Sequence, residues 1–308
     1  MIDELGQFDS FDVPGNISIC FPAGKEFRCL ATNLPSDFHY IGDTKVVGVR
    51  RFDENGIAVE NITDWALKQF KEHYKAPSPQ PSPASGKAGK AAGDKAPAIT
   101  KEAIFHYVYA VLHDPAYRDK YAQNLKREFP RIPLYGSVSA DFWRWAAWGK
   151  ALMDLHIGYE AIEPWPLQRA DRIPVGAAGA AMQVAVDGIA ASAAPTKADS
   201  AAVAPKAMLK ANKTAGTIAL DADTTLSGIP PEVWDYKLGN RSALEWILDQ
   251  YKESKPRDPT IREKFNTYRF ADYKEHVIDL LMRVTRVSVE TQAIITAMKT
   301  APRDASMN

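Results

Sequence analysis

Cysteine is nearly absent: Cys20 and Cys29 are the only two in 308 residues. Two thiols cannot complete a tetrahedral zinc site by themselves, and these two form no CxxC pair. They fall in adjacent predicted strands, where a bridge is geometrically open. Nothing else points to an oxidising compartment, so the expectation is two reduced, semi-buried thiols. Net charge is also lacking, since 38 Lys and Arg face 38 Asp and Glu. The whole molecule is therefore no polyanion binder, and any nucleic-acid-binding face must be local and balanced by acid elsewhere. The N-terminus shows that balance, with Asp3, Glu4, Asp9 and Asp12 ahead of any Lys or Arg. No apolar run approaches the roughly 20 residues that a membrane-crossing helix needs. The basic head and apolar stretch of a signal peptide are missing too. The expectation is a cytoplasmic protein with no membrane contact.

Catalytic motifs are missing as well. There is no GxxxxGK[ST] phosphate cradle for an ATP-driven motor and no GxSxG, HExxH or EF-hand pattern. No NPPY-like tetrapeptide, of the kind amino-methyltransferases use to hold a flipped base, occurs; Ile229-Pro230-Pro231 is a helix lead-in. The glycines near Gly176 and Gly179 follow no strand of a βαβ unit, which argues against a cofactor loop. The expectation is no catalytic residue, no cofactor and no metal. His106 and His113 lie seven apart on one predicted helix beside Asp114, a spacing that lacks the i, i+4 geometry of paired ligands. A hydrogen-bonded core histidine accounts for them, against a hydrolase reading. His156 near a helix C-terminus is favoured there without any catalysis.

What is present reads as α+β. Residues 17–21, 27–32, 38–41 and 45–52 are short, β-branched or aromatic, and separated by Pro22, Gly24, Pro35 and Gly42, which predicts a small antiparallel sheet. Asp53-Glu54-Asn55-Gly56 signals a turn. Thr63 or Asn61 caps a helix to about Tyr74, with Trp65, Leu67, Phe70 and Tyr74 on its apolar face. Composition then shifts: residues 76–97 hold Pro, Ser, Gly, Ala and Lys with almost nothing to bury, a flexible linker. The expected organisation is a β-rich part over 1–75, a linker over 76–98, and a mainly helical part over 99–308 with a second low-complexity stretch over 176–205.

In the helical part, Thr100 caps a helix to about His113. Asp114-Pro115 closes it and opens the next, because Asp caps and Pro fits the first helical position. That second helix is predicted to reach about Phe129, followed by an extended PRIPL segment. A third helix, about Ala140–His156, carries Phe142, Trp143, Trp145, Trp148 and Leu152 nearly all round and ends at Gly158. Residues 206–226 suggest a hairpin. A helix over about 241–253 has Leu244, Trp246, Ile247 and Leu248 inward and Ser242, Glu245 and Asp249 outward. The last helix spans about 271–299 on a stripe from Val277 to Met298.

Two segments carry chemistry. Tyr117–Arg131 holds Arg118, Lys120, Lys126, Arg127 and Arg131 against Asp119 and Glu128, a net +3 with Tyr117, Tyr121 and Phe129 interleaved. Basic and aromatic residues on one element suit a nucleic-acid backbone and groove, and equally a solvated helix face. In LGNRSALEW, Arg241 lies at a helix N-terminus, where a cation is unfavourable unless an anion meets it. A phosphate would do so, and so would an intramolecular carboxylate.

The wider runs FHYVYAVLHDPAYRDKYAQNLKREFPRIP (105–133) and LSGIPPEVWDYKLGNRSALEWILDQY (226–251), with ENITDWAL (60–67), the run from Phe142 to Glu160 and the one from Val277 to Thr291, match in order and spacing a known region. The chain resembles the C-terminal specificity region of type ISP restriction–modification enzymes, from about Ile17 to Met298. The resemblance implies recognition of a short asymmetric double-stranded DNA sequence. It also implies partners: methyltransferase, translocase and nuclease parts, encoded separately or on another part of a split gene. On this reading Lys126, Arg127, Arg131, Arg144, Arg241, Lys252 and Arg257 contact DNA, most of them at phosphates. Base reading falls to loops around 131–144 or 237–242, or to the hairpin at 206–220. The rival reading is a protein-interaction scaffold whose aromatic helices dock on a partner. Residues 76–97 and 176–205 stand where recognition elements would vary.

Overall fold

The computed structural model describes residues 15–22, 26–36, 40–74, 97–172, 205–254, 257–260 and 268–303. The linker expected over 76–97, except its last residue, nearly all of the stretch 176–205 and the first half of the strand expected over 38–41 lie outside them; Tyr40 and Ile41 are in a bend, not a strand. The architecture is α+β, in two compact units: Met1–Ile162 with Glu290–Asn308, and Glu163–Val289.

The first unit starts with β1 (Ser18–Pro22), β2 (Leu30–Thr32) and β3 (Thr44–Gly48), an antiparallel sheet in the order β2-β1-β3. The run 45–52, expected as one strand, is two. β4 (Arg50–Phe52) leaves β1 and pairs with β5 (Ala58–Glu60). The break at Val49 is held by side-chain amides. Asn16 bonds both the N–H and the carbonyl of Arg50, each at 3.0 Å, and Asn61 donates to the Gly48 carbonyl at 3.0 Å. Backbone groups that would be orphaned at the change of partner are thus satisfied. The Asp53–Gly56 turn joins β4 to β5, with Gly56 at φ +74°. Cys20 and Cys29 are buried free thiols.

Thr63 caps α1 (Asp64–His73) by accepting from the Ala66 N–H at 3.1 Å. Phe70 and Tyr74 face the core, whereas Trp65, expected beside them, is 63% exposed. Thr100 caps α2 (Lys101–His113), buried over most of its length. It crosses α4 (Ser139–Ile157) so closely that a Cβ on Gly149 would stand 1.7 Å from the His106 carbonyl oxygen. The core is aromatic: Tyr107 stacks on Phe142 at 5.5 Å and Tyr135 packs on Trp145 at 4.6 Å.

Between them α3 (Pro115–Lys120) is shorter than expected and gives way to turns over 121–127. Leu125 is the only buried side chain over 122–128, so that stretch has no apolar stripe to anchor further helical turns.

The second unit is built on a four-stranded antiparallel sheet in the order β6-β9-β8-β7. Its strands are β6 (Gln168–Asp171), β7 (Lys210–Asn212), β8 (Thr217–Ala219) and β9 (Thr224–Ser227). The expected hairpin is β7–β8; β6 and β9 extend it. A 3-10 helix (Pro231–Asp235) follows Pro230, then the short ribbon β10 (Lys237–Leu238) and β11 (Arg241–Ser242). Ser242 caps α5 (Ala243–Gln250) in a reciprocal capping box with Glu245. Ser242, expected outside, is therefore fully buried. Trp246, expected inside, is 38% exposed, its indole N–H donating to the Leu238 carbonyl at 2.9 Å. The long helix α6 (Phe270–Lys299) belongs to this unit up to Val289 and to the first unit from Glu290. Among the described residues no helix is long and apolar enough to cross a membrane.

Candidate nucleic-acid interface

In the first unit the candidate residues follow α3. Asp114 caps that helix through the Ala116 N–H at 3.2 Å. It is fully buried and takes both Arg303 (2.6 Å) and the Tyr135 hydroxyl (2.9 Å). The extended segment after the turns is fastened by tyrosines. Tyr117 donates to the Arg131 carbonyl at 3.0 Å, Tyr107 to the Pro133 carbonyl at 2.9 Å, and Tyr74 to the Tyr135 carbonyl at 2.9 Å. Burial holds the Tyr117 and Tyr107 hydroxyls protonated far above the ordinary tyrosine range.

This frame separates the basic residues that the sequence ran together. Arg118 is half-buried, donating to the Leu112 carbonyl at 2.5 Å with its guanidinium over Phe27. It is structural. Lys126 and Arg127 are exposed on the turns and have no side-chain partner among the described residues. Arg131 is exposed and reaches Glu128 at 3.3 Å. Arg144 is exposed on the first turns of α4 and reaches Asp141 at 3.5 Å. A cleft of about 370 Å³ opens beside the turns, lined by Tyr117, Tyr121, Phe129 and Ile132 with Glu128 and Arg131 among its polar residues. An exposed cationic turn thus borders an aromatic cleft, and the PRIPL segment shapes both.

The other three candidates lie in the second unit. Arg241 pairs with Asp249 at 2.6 Å and lies over the Trp246 ring at 5.3 Å. Lys252 takes the other Asp249 oxygen at 2.8 Å. Those two cations hold the Asp249 carboxyl below the usual range, Lys252 most strongly. The α5 N-terminus is also answered: Glu245 accepts from the Ser242 N–H and hydroxyl, both at 2.9 Å, and from Lys213 at 2.9 Å. Burial opposes ionisation of Glu245, but Lys213 and the Ser242 donors outweigh it and its pKa is lowered. Of the two partners open to Arg241 in the sequence, the intramolecular carboxylate is therefore the one found. Arg257 is exposed in the short stretch 257–260.

His113 and His156 belong to a buried network, whereas His106 is only half-buried on α2. The His113 Nδ1 bonds the Tyr109 carbonyl at 2.8 Å, and His156 lies between the Tyr109 hydroxyl (2.6 Å) and the Thr291 hydroxyl (3.1 Å). Burial, then the nearby Arg118, pushes His156 down to about 3 and His113 well below its ordinary value. Neutral imidazoles joined by hydrogen bonds fill a core and offer no solvent-facing chemistry. Among the described residues no group of three His, Cys, Asp or Glu side chains could hold a metal.

Sequence reasoning missed two cations as individual candidates. Lys206 and Lys210, at the edge of the second unit's sheet, are exposed without a side-chain partner among the described residues. The available signal was their alternation with Ala207, Leu209 and Ala211.

Residues 6–280 match the family model of the type ISP C-terminal specificity domain. Among solved structures, the chain is similar to DrdV in a cryo-EM complex with DNA, at 46% identity and a TM-score of 0.69, over 91% of this chain and 24% of that one. It shares its fold with two type ISP enzymes. One is a nuclease-deletion mutant of LlaGI bound to a DNA substrate mimic, at 23% identity and TM-score 0.55, over 94% of this chain and 21% of that one. The other is ATP-dependent LlaBIII bound to DNA, at 18% identity and TM-score 0.59, over 94% of this chain and 16% of that one. The chain thus spans a quarter or less of the length of these structures. No curated protein matches it.

Proposed function

The chain belongs to the type ISP C-terminal specificity domain family, and from that premise we propose that it is a DNA-recognition module, non-catalytic by itself, that reads a short asymmetric duplex sequence. The observation that carries the reading is the family match across residues 6–280. DrdV, 46% identical over nearly all of this chain, was seen on DNA and supports it. The catalytic partners are methyltransferase, translocase and nuclease parts of the same system, working in the cytoplasm on double-stranded DNA. The proposed organisation is a β-rich part over 1–75 and a mainly helical specificity part over 99–308.

Phosphate contacts fall to Lys126, Arg127, Arg131 and Arg144 in the first unit and to Lys252, Arg257 and Arg241 in the second. Their weights differ. Lys126 and Arg127 meet a phosphate with no side-chain partner among the described residues to give up. Arg131 and Arg144 must exchange an exposed carboxylate, a small cost. Arg241 and Lys252 share Asp249 and contribute least.

The test is selection from a pool of random duplex DNA by the purified chain at two salt concentrations. Enrichment of one short asymmetric motif that survives the higher salt is the expected result. Charge reversal at Lys126 and Arg127 should then weaken binding to all sequences and flatten the salt dependence by about two phosphate equivalents. Salt-insensitive association with a protein, indifferent to those reversals, would favour docking through exposed apolar residues such as Trp65 and Ile57, 63% and 61% exposed.

A further inference from the structure

Among the described residues the outer strands of the second unit's sheet, β6 and β7, each pair on one side only, and they are dressed differently. At β6 the cation is neutralised: Arg169 bonds Asp171 and Glu275, each at 2.7 Å, and Asp171 also takes the Thr224 hydroxyl at 2.7 Å. At β7 and the residues leading into it, no side chain among the described residues neutralises the cations. From Lys206 to Asn212 the even-numbered residues Lys206, Met208, Lys210 and Asn212 are exposed, while Ala207 and Ala211 are half-buried and Leu209 is buried. Met208 is 42% exposed, a large apolar side chain set between two lysines that have no side-chain partner among the described residues.

The backbone here is specialised. The N–H groups of Met208 and Leu209 both donate to the Leu220 carbonyl, at 2.8 and 3.1 Å. Two residues thus oppose one, a β-bulge, and Leu209 holds φ +46°. A branched side chain in the left-handed region costs energy, and bulges at sheet edges re-aim side chains. Buried Leu209 anchors the distortion, and what it turns outward is Met208.

We propose that the edge segment Lys206–Asn212 crosses the major groove of the bound duplex, Lys206 and Lys210 reaching the phosphates of its two walls and Met208 packing on a thymine methyl between them. The proposal rests on the DNA-recognition reading above and names one of its reading elements. Its geometry is simple. Fully extended, the four steps from Lys206 to Lys210 would span about 13 Å; the bulge at Leu209 shortens that, and the two lysine side chains supply the remaining reach across a major groove about 12 Å wide. An apolar side chain midway faces base edges, and the thymine methyl is the apolar group displayed there.

The test begins with the motif that the intact chain selects from random duplexes. Each thymine of that motif is replaced in turn by uracil, which removes only the methyl. At one position the intact chain should lose about fourfold in affinity, the value of one buried methyl group, while Met208→Ala should show no loss there. Lys206→Ala/Lys210→Ala should lower the slope of log affinity against log salt by about two. All three residues are exposed, so thermal midpoints should not move. If the intact chain selects a motif but Met208→Ala keeps the same thymine discrimination, or the lysine pair leaves the slope unchanged, the inference is overturned and the recognition reading stands. If the intact chain selects no motif, both fall.

Discussion

In the first unit the chain carries its polar side chains into the core, whereas in the second it ties most of them together at the rim. The first buries Asp114 against Arg303 and Tyr135, threads His113 and His156 between Tyr109 and Thr291, and joins Tyr74 to Tyr107. Around these groups lie Phe142, Trp145 and the rest of an aromatic helical core. The second pairs Arg169 with Glu275, Arg241 with Asp249 and Arg283 with Asp279, all with substantial exposure on at least one partner. Its one buried carboxylate among the described residues is Asp221, held by Lys274 at 2.8 Å and by the N–H groups of Asp223 and Thr224. Buried networks specify one packing and are costly to break, while rim pairs are cheap and exchangeable. The first unit is thus a stiff frame carrying a few exposed cations. The second is a small sheet whose charged rim can be rearranged by an anion.

The sharpest way to break this contrast is at Asp114. Asp114→Asn leaves Arg303 buried without its counter-charge and should cost the first unit about 3–5 kcal/mol in chemical denaturation. Asp221→Asn in the second unit should cost less, about 1–3 kcal/mol, because its backbone donors keep an amide oxygen as acceptor. Amide exchange resolved by unit reads both. An Asp221 effect equal to that of Asp114 would remove the distinction.

Acid should separate the units next. His113 and His156 are neutral in the fold and held below their ordinary value, so the unfolded chain binds protons first as pH falls. Their contribution is fully present above about pH 6.5. It is lost progressively toward the folded value of about 3 for His156, by up to about 1.4 kcal/mol per pH unit for each imidazole. Asp221 is held below the usual carboxylate range by Lys274 and the backbone donors, against the opposing effect of burial. Its contribution is lost only below about pH 4. The first unit should therefore loosen between pH 6 and 4 while the second holds, and His156→Gln should flatten that dependence.

The parts of this arrangement that were legible in the sequence are those set by neighbours along the chain. Thr63, Thr100, Asp114-Pro115 and Gly158 mark helix ends because caps act within three or four residues. The aromatic run of α4 announced its own burial. What escaped depended on distant partners. The strand exchange at Val49 needs Asn16 and Asn61 to take its backbone groups. β6 is QRAD, exposed throughout, and shows no apolar alternation to reveal a strand. At the candidate interface the residue types were visible, but which cations remain available was not. Arg118 and Lys126 lie in one basic run, yet one turns inward on Leu112 and the other stays in solvent. Period-2 exposure at Lys206, Met208 and Lys210 was readable in principle, but a bulge at Leu209 has no sequence signature when the left-handed residue is not glycine.

The smallest expected effect tests the exchangeable rim directly. Asp249 holds both Arg241 and Lys252, and each pair is exposed enough that its net contribution to folding is slight. Asp249→Ala should leave the thermal midpoint of the second unit unmoved. It removes one negative charge and frees two cations, so affinity for duplex DNA of any sequence should rise severalfold at low salt. The slope of log affinity against log salt should steepen by no more than about two. The selected motif should not change, because Arg241 and Lys252 are assigned to phosphates and phosphate contacts carry no base information. A changed motif would move Arg241 from positioning to reading. That result would place base recognition at the β10–β11 ribbon beside it. An unchanged affinity would take the Asp249 rim out of the interface and leave the second unit to meet DNA through the β7 edge.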